Sequence, residues 1–117
     1  QVPDYIIKDV LEPSGADYVQ VEAMEAVMPE LDILYMTRIQ RERLFSEDEY
    51  LKHKDAFILD LSKLENAKED LTIMHPLPRV NEISVAVDSD PRACYFKQVL
   101  YGKYMRMALI LMLLEIE

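Results

Sequence analysis

Residues 32–37, DILYMT, are a near-continuous apolar run, with Pro29 shortly upstream and the charged stretch RIQRER (38–43) immediately downstream. The run has the length of a strand rather than a helix. Apolar residues on both alternating sides are the pattern of a strand buried on both faces in a parallel sheet. Upstream, Pro3 and Asp4 suit a helical first turn, and Ile6/Val10 and Ile7/Leu11 pair at i,i+4 before Ser14-Gly15 ends the segment. Residues 17–21 are β-rich and predict a short strand. Met24, Val27, Met28 and Leu31 fall at helical spacing with Pro29 near the stop. Downstream, Ser46 with Glu49 and Ser62 with Glu65 have the capping-box form and predict helices over 47–56 and 62–69. A strand is expected over 57–60 and another over 71–75. Asp90-Pro91 reads as an N-cap followed by proline at the first helical position, predicting a helix from 91 to about 99 and a second from 102 to about 115, with Gly102 between them. Strands alternating with helices imply an α/β fold with a parallel sheet and helices on both faces.

A chain of 117 residues bounds this to one domain, and 50% hydrophobic with 30% charged residues is ordinary folded composition. A net charge of −9 argues against nucleic acid and against an anionic membrane surface as partners. The single cysteine, Cys94, leaves no internal disulfide and suits a buried structural position in a reducing compartment such as the cytoplasm. The opening QVPDYIIKDV has no basic region followed by an apolar run, as a signal peptide would. MALILMLL (107–114) is too short to span a bilayer and reads as a buried core helix.

In parallel α/β sheets ligands bind beyond the carboxyl ends of the strands. Two segments are expected there. The first, Thr37–Arg43, supplies Arg38, Gln40, Arg41 and Arg43. Guanidinium forks bind carboxylates and an amide adds a directed hydrogen bond, although a solvated charged loop has the same composition. The second, MHPLPRVNE (74–82), places Pro76 and Pro78 around Leu77. It is either a stiff corner returning Val80 and Ile83 to the core, or backbone held still so that its carbonyls can meet an amide-like ligand. His75 is a general base or a structural residue at a strand end; His53, between Lys52 and Lys54, is expected to be exposed. Glu47-Asp48-Glu49 and Glu69-Asp70 fit helix caps and solvent faces, and no metal-ligand spacing is present. With two glycines there is no Gly-rich phosphate cradle, and no Ser–His–Asp or Cys–His arrangement follows from spacing. The residues by themselves describe an α/β domain with an anion-binding edge.

DILYMTRIQRERL (32–44) and MHPLPRVNEISVAVDSDPRACYFKQ (74–98), followed by YMRMALILMLL (104–114), together resemble the aspartate-binding half of the aspartate carbamoyltransferase family. The motifs T-R-x-Q-x-E-R and H-P-L-P-R-V-x-E-I carry the resemblance. Ornithine-using relatives have H-C-L-P where this chain has Pro76, which favours aspartate. The resemblance implies a three-layer α/β/α, Rossmann-like domain contributing to transfer of a carbamoyl group from carbamoyl phosphate to L-aspartate in pyrimidine synthesis. It implies Arg38 and Gln40 on aspartate, and the backbone of Pro76, Leu77 and Pro78 on the carbamoyl group. Arg43, Arg79 and Arg106 fall at interdomain or interface positions, and His75 belongs to the rigid turn. It implies no cofactor, no metal and no catalytic side chain in these residues. Residues 1–117 would be the aspartate-binding domain without its first strands, and the carbamoyl-phosphate domain would be a partner. A cytoplasmic homotrimer, with or without a regulatory chain, is the expected assembly. The isolated chain is expected to be inactive and to fold poorly or associate. The competing expectation is a non-catalytic α/β amino-acid-binding or interaction module derived from the same fold. Leu113-Leu114-Glu115, where the family usually has a glycine, and Val99–Met105 depart from the family pattern.

Overall fold

The computed structural model describes residues 2–38 and 58–116. The expected helix over 47–56, the Ser46/Glu49 box, His53, Phe57, Gln40, Arg41 and Arg43 lie outside them. Two strands organise the rest. β1 (Ile33–Tyr35) and β2 (Thr72–Met74) pair in parallel with Ile33 opposite Thr72, Leu34 opposite Ile73 and Tyr35 opposite Met74. The ladder continues at both ends, where Thr72 N–H donates to Asp32 O at 2.9 Å and Met36 N–H to Met74 O at 2.8 Å. On its other side Ile73 forms a parallel bridge with Ala93, and Leu59 forms another with Ile83. The Leu59 bridge is what the structure shows of the strand expected over 57–60. Ile73 therefore sits between two neighbours and is completely buried, in a core with Met28, Leu59, Leu64, Leu71, Ile83, Val87 and Tyr95. The α/β class and the parallel strand pairing agree with the sequence reading.

The burial of β1 does not. Ile33 is 59% and Tyr35 52% exposed, so among the described residues one face of this strand is open. The expected strand over 17–21 also fails. Its residues have no regular secondary structure and join no ladder among the described residues, and Tyr18, Val19 and Val21 are exposed. Alternation gives a residue run a strand's shape, but a strand also needs a partner's hydrogen bonds.

Helix α1 is a composite, α-helical over Asp4–Ile6, π-helical over Ile7–Leu11 and α-helical again over Glu12–Ser14. Pro13 supplies no N–H and its ring crowds the carbonyl four residues back, so the preceding turn widens; Glu12 N–H reaches Ile7 O, five residues back. Gly15, in the left-handed region at φ 68°, ends it as expected. The helix expected across Met24–Leu31 is instead two 3-10 turns, Met24–Ala26 and Met28–Glu30, because Pro29 cannot complete an α-helical ladder. The helix expected over 62–69 shortens to the 3-10 turn Ser62–Leu64, and Ser62 is not its cap. Asp60 takes that role, its Oδ1 accepting Lys63 N–H at 3.1 Å and the Ser62 hydroxyl at 2.6 Å. The final helix, α2 (Tyr95–Leu113), starts four residues later than Asp90-Pro91 suggests. Ala93 is held extended by its bridge to Ile73, and the Asp90 carboxylate caps a tight turn by accepting Arg92 N–H at 2.9 Å. Gly102 makes no break in α2, since one glycine costs a helix only about 1 kcal/mol relative to alanine. MALILMLL is exposed rather than buried: Tyr95 is the one buried residue of α2, whose apolar side chains face outward all round. Among the described residues no helix is long and apolar enough to cross a membrane.

Candidate functional site

The proline segment begins where β2 ends, and buried polar groups fix both of its ends. His75 is 1% and Glu82 7% exposed. The His75 N–H donates to Gln98 Oε1 on α2 at 2.9 Å, and its ring Nδ1 accepts the Leu77 N–H at 2.8 Å. An amide N–H can only donate, so Nδ1 carries no proton and the ring proton sits on Nε2. Nε2 in turn donates to Glu82 Oε1 at 2.8 Å, while Glu82 Oε2 accepts the N–H groups of Val80 and Asn81 at 3.0 and 3.1 Å. Burial pushes the Glu82 carboxyl up. The backbone N–H groups and His75 outweigh that, and the carboxyl lies below its ordinary value. With both ring nitrogens engaged inside the protein, His75 has no free site from which to act as a general base. That removes one of the two readings its sequence position left open.

Within this frame Leu77 adopts φ 45°, and the Leu77–Pro78 peptide is cis. A left-handed leucine is costly and persists only where its surroundings hold it. Among the described residues no backbone N–H is bonded to the carbonyls of Pro76, Leu77 or Pro78. Arg79 turns the chain inward. Its guanidinium makes a two-pronged pair with Asp88, Nη2 to Oδ2 at 2.6 Å, and lies 5.7 Å from the centre of the buried Tyr95 ring. The Tyr95 hydroxyl donates to the same carboxylate. Arg79 first and Tyr95 second hold Asp88 down at about 2. Burial and then Asp88 push the Tyr95 phenol up to about 12. This cluster ties the segment to the 3-10 turn Val85–Ser89 and to the start of α2.

Arg38 lies two residues beyond Met36, whose N–H is bonded to Met74 O, so it leaves the sheet at the same edge as the proline segment, and it is exposed. Tyr35 of β1, Pro76, and Gln98, Val99, Gly102 and Arg106 of α2 line a cleft of about 210 Å³. Gln98 holds this corner together: its amide Nε2 donates to the Tyr35 hydroxyl at 3.1 Å while its Oε1 takes the His75 N–H. Of the residues expected in a site, the fold thus brings Arg38, Pro76, Leu77, Pro78 and Arg106 to one sheet edge. Arg79 faces the Asp88–Tyr95 cluster instead, and Gln40 and Arg43 lie outside the described residues. Sequence reasoning missed Glu82, Gln98, Asp88 and Tyr95. Glu82 stands inside the motif H-P-L-P-R-V-x-E-I with its partner His75, a signal that could have paired them, whereas nothing comparable joins Gln98, Asp88 or Tyr95 to its partner. Cys94 is half-buried.

Chemically, exposed guanidinium groups can bind carboxylates, and open carbonyls on a rigid backbone can accept from an amide. A site of this kind positions reactants rather than attacking them.

Comparison with known proteins matches residues 3–113 to the family model described as aspartate/ornithine carbamoyltransferase, Asp/Orn binding domain. Proteins named aspartate carbamoyltransferase catalytic subunit are similar over the whole chain, at 59% identity in Finegoldia magna and 57% in Clostridium botulinum. The chain spans 38% of the length of each. Among solved structures, the catalytic subunit of M. jannaschii aspartate transcarbamoylase aligns with a TM-score of 0.86 at 39% identity, covering 98% of this chain and 38% of that one. The Trypanosoma cruzi aspartate transcarbamoylase in complex with carbamoyl phosphate and aspartate aligns with a TM-score of 0.81 at 38% identity, covering 94% and 37%.

Proposed function

The chain belongs to the aspartate/ornithine carbamoyltransferase family, and we propose that it supplies the aspartate-binding domain of an aspartate carbamoyltransferase. The reaction joins the amino nitrogen of L-aspartate to the carbamoyl carbon of carbamoyl phosphate. The new C–N bond forms, the C–O bond to phosphate breaks, the nitrogen gives up a proton, and N-carbamoyl-L-aspartate and phosphate leave. Arg38 binds a carboxylate of aspartate as a guanidinium fork, with Gln40 adding a hydrogen bond. The carbonyls of Pro76, Leu77 and Pro78 accept the N–H groups of the carbamoyl amide. Held in attack geometry, two reactants recover about 7–11 kcal/mol of the barrier in favourable cases, which is why such an edge needs no nucleophile of its own.

One observation carries the reading: Arg38 and the locked proline segment leave adjacent parallel strands at the same edge. Pro76 in place of the cysteine of ornithine-using relatives supports aspartate as the acceptor. The outward-facing apolar side chains of α2 support a domain that packs against more of the polypeptide, the carbamoyl-phosphate domain among it, since a helix apolar all round is normally buried. Arg43, Arg79 and Arg106 are assigned to domain and subunit contacts, Arg79 through the turn it braces. The whole enzyme works as a cytoplasmic homotrimer, in pyrimidine synthesis. Replacing Arg38 by alanine in the complete protein should raise the aspartate KM far more than that for carbamoyl phosphate. An equal rise in both would remove Arg38 from the aspartate site.

A further inference from the structure

We propose that His75 is a positioning residue for carbamoyl transfer, its Nδ1 holding the Leu77 N–H inward so that the carbonyl on the same peptide plane faces the substrate. The inference rests on the reading that this backbone meets the carbamoyl group. The Pro76–Leu77 peptide is trans, the cis bond being the next one, so the Pro76 C=O and the Leu77 N–H lie in one plane and point opposite ways. Nδ1 takes the N–H at 2.8 Å from a ring that is 1% exposed. The carbonyl of Pro76 must then point away from the ring, and Pro76 is a residue that lines the cleft with Tyr35 and Arg106. The following plane is set by Leu77 itself, at φ 45°. The ring cannot rotate away from this duty. Its Nε2 is bonded to Glu82 and its backbone N–H to Gln98, so the plane is referred to the loop's far end and to α2 at once. Positioning of this kind needs an acceptor at the position of Nδ1 and a donor at Nε2, which only the Nε2–H form of histidine provides.

Two conservative variants of the complete protein separate the two halves of the ring. In His75→Asn the amide oxygen stands where Nδ1 stands and can take the N–H two residues on, as asparagine does in turns, but nothing reaches Glu82. In His75→Gln the amide reaches Glu82 and the Leu77 N–H is abandoned. The expected pattern is crossed. His75→Asn lowers the melting temperature more but keeps kcat within the wild-type order of magnitude. His75→Gln keeps more of the stability and lowers kcat by up to about a hundredfold, the penalty of a misplacement near 1 Å, with the aspartate KM unchanged. If kcat instead follows stability across both variants, His75 is only a structural residue and the inference is overturned. The wild-type protein gives an independent reading that no folding defect can obscure. The imidazole 15N spectrum must show Nε2 protonated and Nδ1 bare, and a proton on Nδ1 overturns the proposal. Wild-type protein without carbamoyl transfer would sink the functional reading itself, and this inference with it. An active wild type lacking the crossed pattern sinks the inference alone.

Discussion

Replacing Glu82 by glutamine conserves volume and shape, yet the hydrogen-bond directions around it leave the amide no satisfactory orientation. The carboxylate accepts on both oxygens, from His75 Nε2 at 2.8 Å and from the N–H groups of Val80 and Asn81 at 3.0 and 3.1 Å. A glutamine facing its oxygen to the two backbone groups points its NH2 at the proton on Nε2; turned round, it points the NH2 at the two backbone groups. The histidine cannot relieve the conflict by moving its proton, because Nδ1 is held by the Leu77 N–H. One buried donor is therefore left without an acceptor, at a cost of about 1–3 kcal/mol. Losing the charge on the surviving bonds brings the total to about 3 kcal/mol at this nearly water-free site. Urea unfolding of the wild type and of Glu82→Gln at neutral pH measures it. The double variant with His75→Leu, which removes the opposing donor, should cost clearly less than the two single changes added together. The difference between wild type and Glu82→Gln should also shrink in acid. The folded carboxyl lies below its ordinary 4.5, so its contribution is complete above that value and is lost as pH falls through the lower folded one. A Glu82→Gln variant within about 0.5 kcal/mol of the wild type would refute the buried-network reasoning.

The Asp88 carboxylate, held at about 2 against an ordinary 3.8, contributes stability that is complete above pH 3.8 and disappears as pH falls through 2. Replacing Arg79 by leucine should therefore flatten the acid limb of the stability curve, and an unchanged limb would count against the pair. At the opposite end, one tyrosine should titrate near 12 by phenolate absorbance and vanish in Tyr95→Phe; if all tyrosines titrate together, Tyr95 is not buried against Asp88. Truncating Ile73, completely buried between β1 and the Ala93 bridge, to alanine should cost about 2–5 kcal/mol in the same unfolding assay. Residues 1–117 expressed alone should sediment as concentration-dependent assemblies, because the apolar side chains of α2 face outward. A clean monomer at all concentrations would mean that α2 tolerates water.

What could be read from the sequence divides along a physical line. DILYMT and LTIMH were legible as strands because a short apolar run bounded by turn residues has few other uses, and their parallel pairing followed from the helical segments around them. The ends of helices were harder. At 90–95 the local signal for a start was sound, but the sheet competed for Ala93 and won, moving the start to Tyr95. At 62–65 the capping box was outbid by Asp60, two residues outside the motif. Residues 17–21 show the converse: a strand pattern records a preference, and the preference stays unfulfilled until another chain segment offers its hydrogen bonds.

The site divides in the same way. Arg38 and the proline segment were visible because strand ends are where ligands bind in parallel sheets, a rule that requires only the strands to be located. The lock on that segment was not visible. His75 and Glu82 are separated by a turn whose φ at Leu77 no sequence rule assigns to leucine, and Gln98 reaches back from a helix whose start was misplaced. The burial of MALILMLL was expected from composition, and the described structure leaves it open. Both observations hold if the chain's apolar surplus belongs to an interface, because composition reports how much surface a sequence will bury without saying against what. The same reasoning applies to the open face of β1 and to the exposed side chains of Tyr18, Val19 and Val21, which like α2 are apolar surface without cover among the described residues.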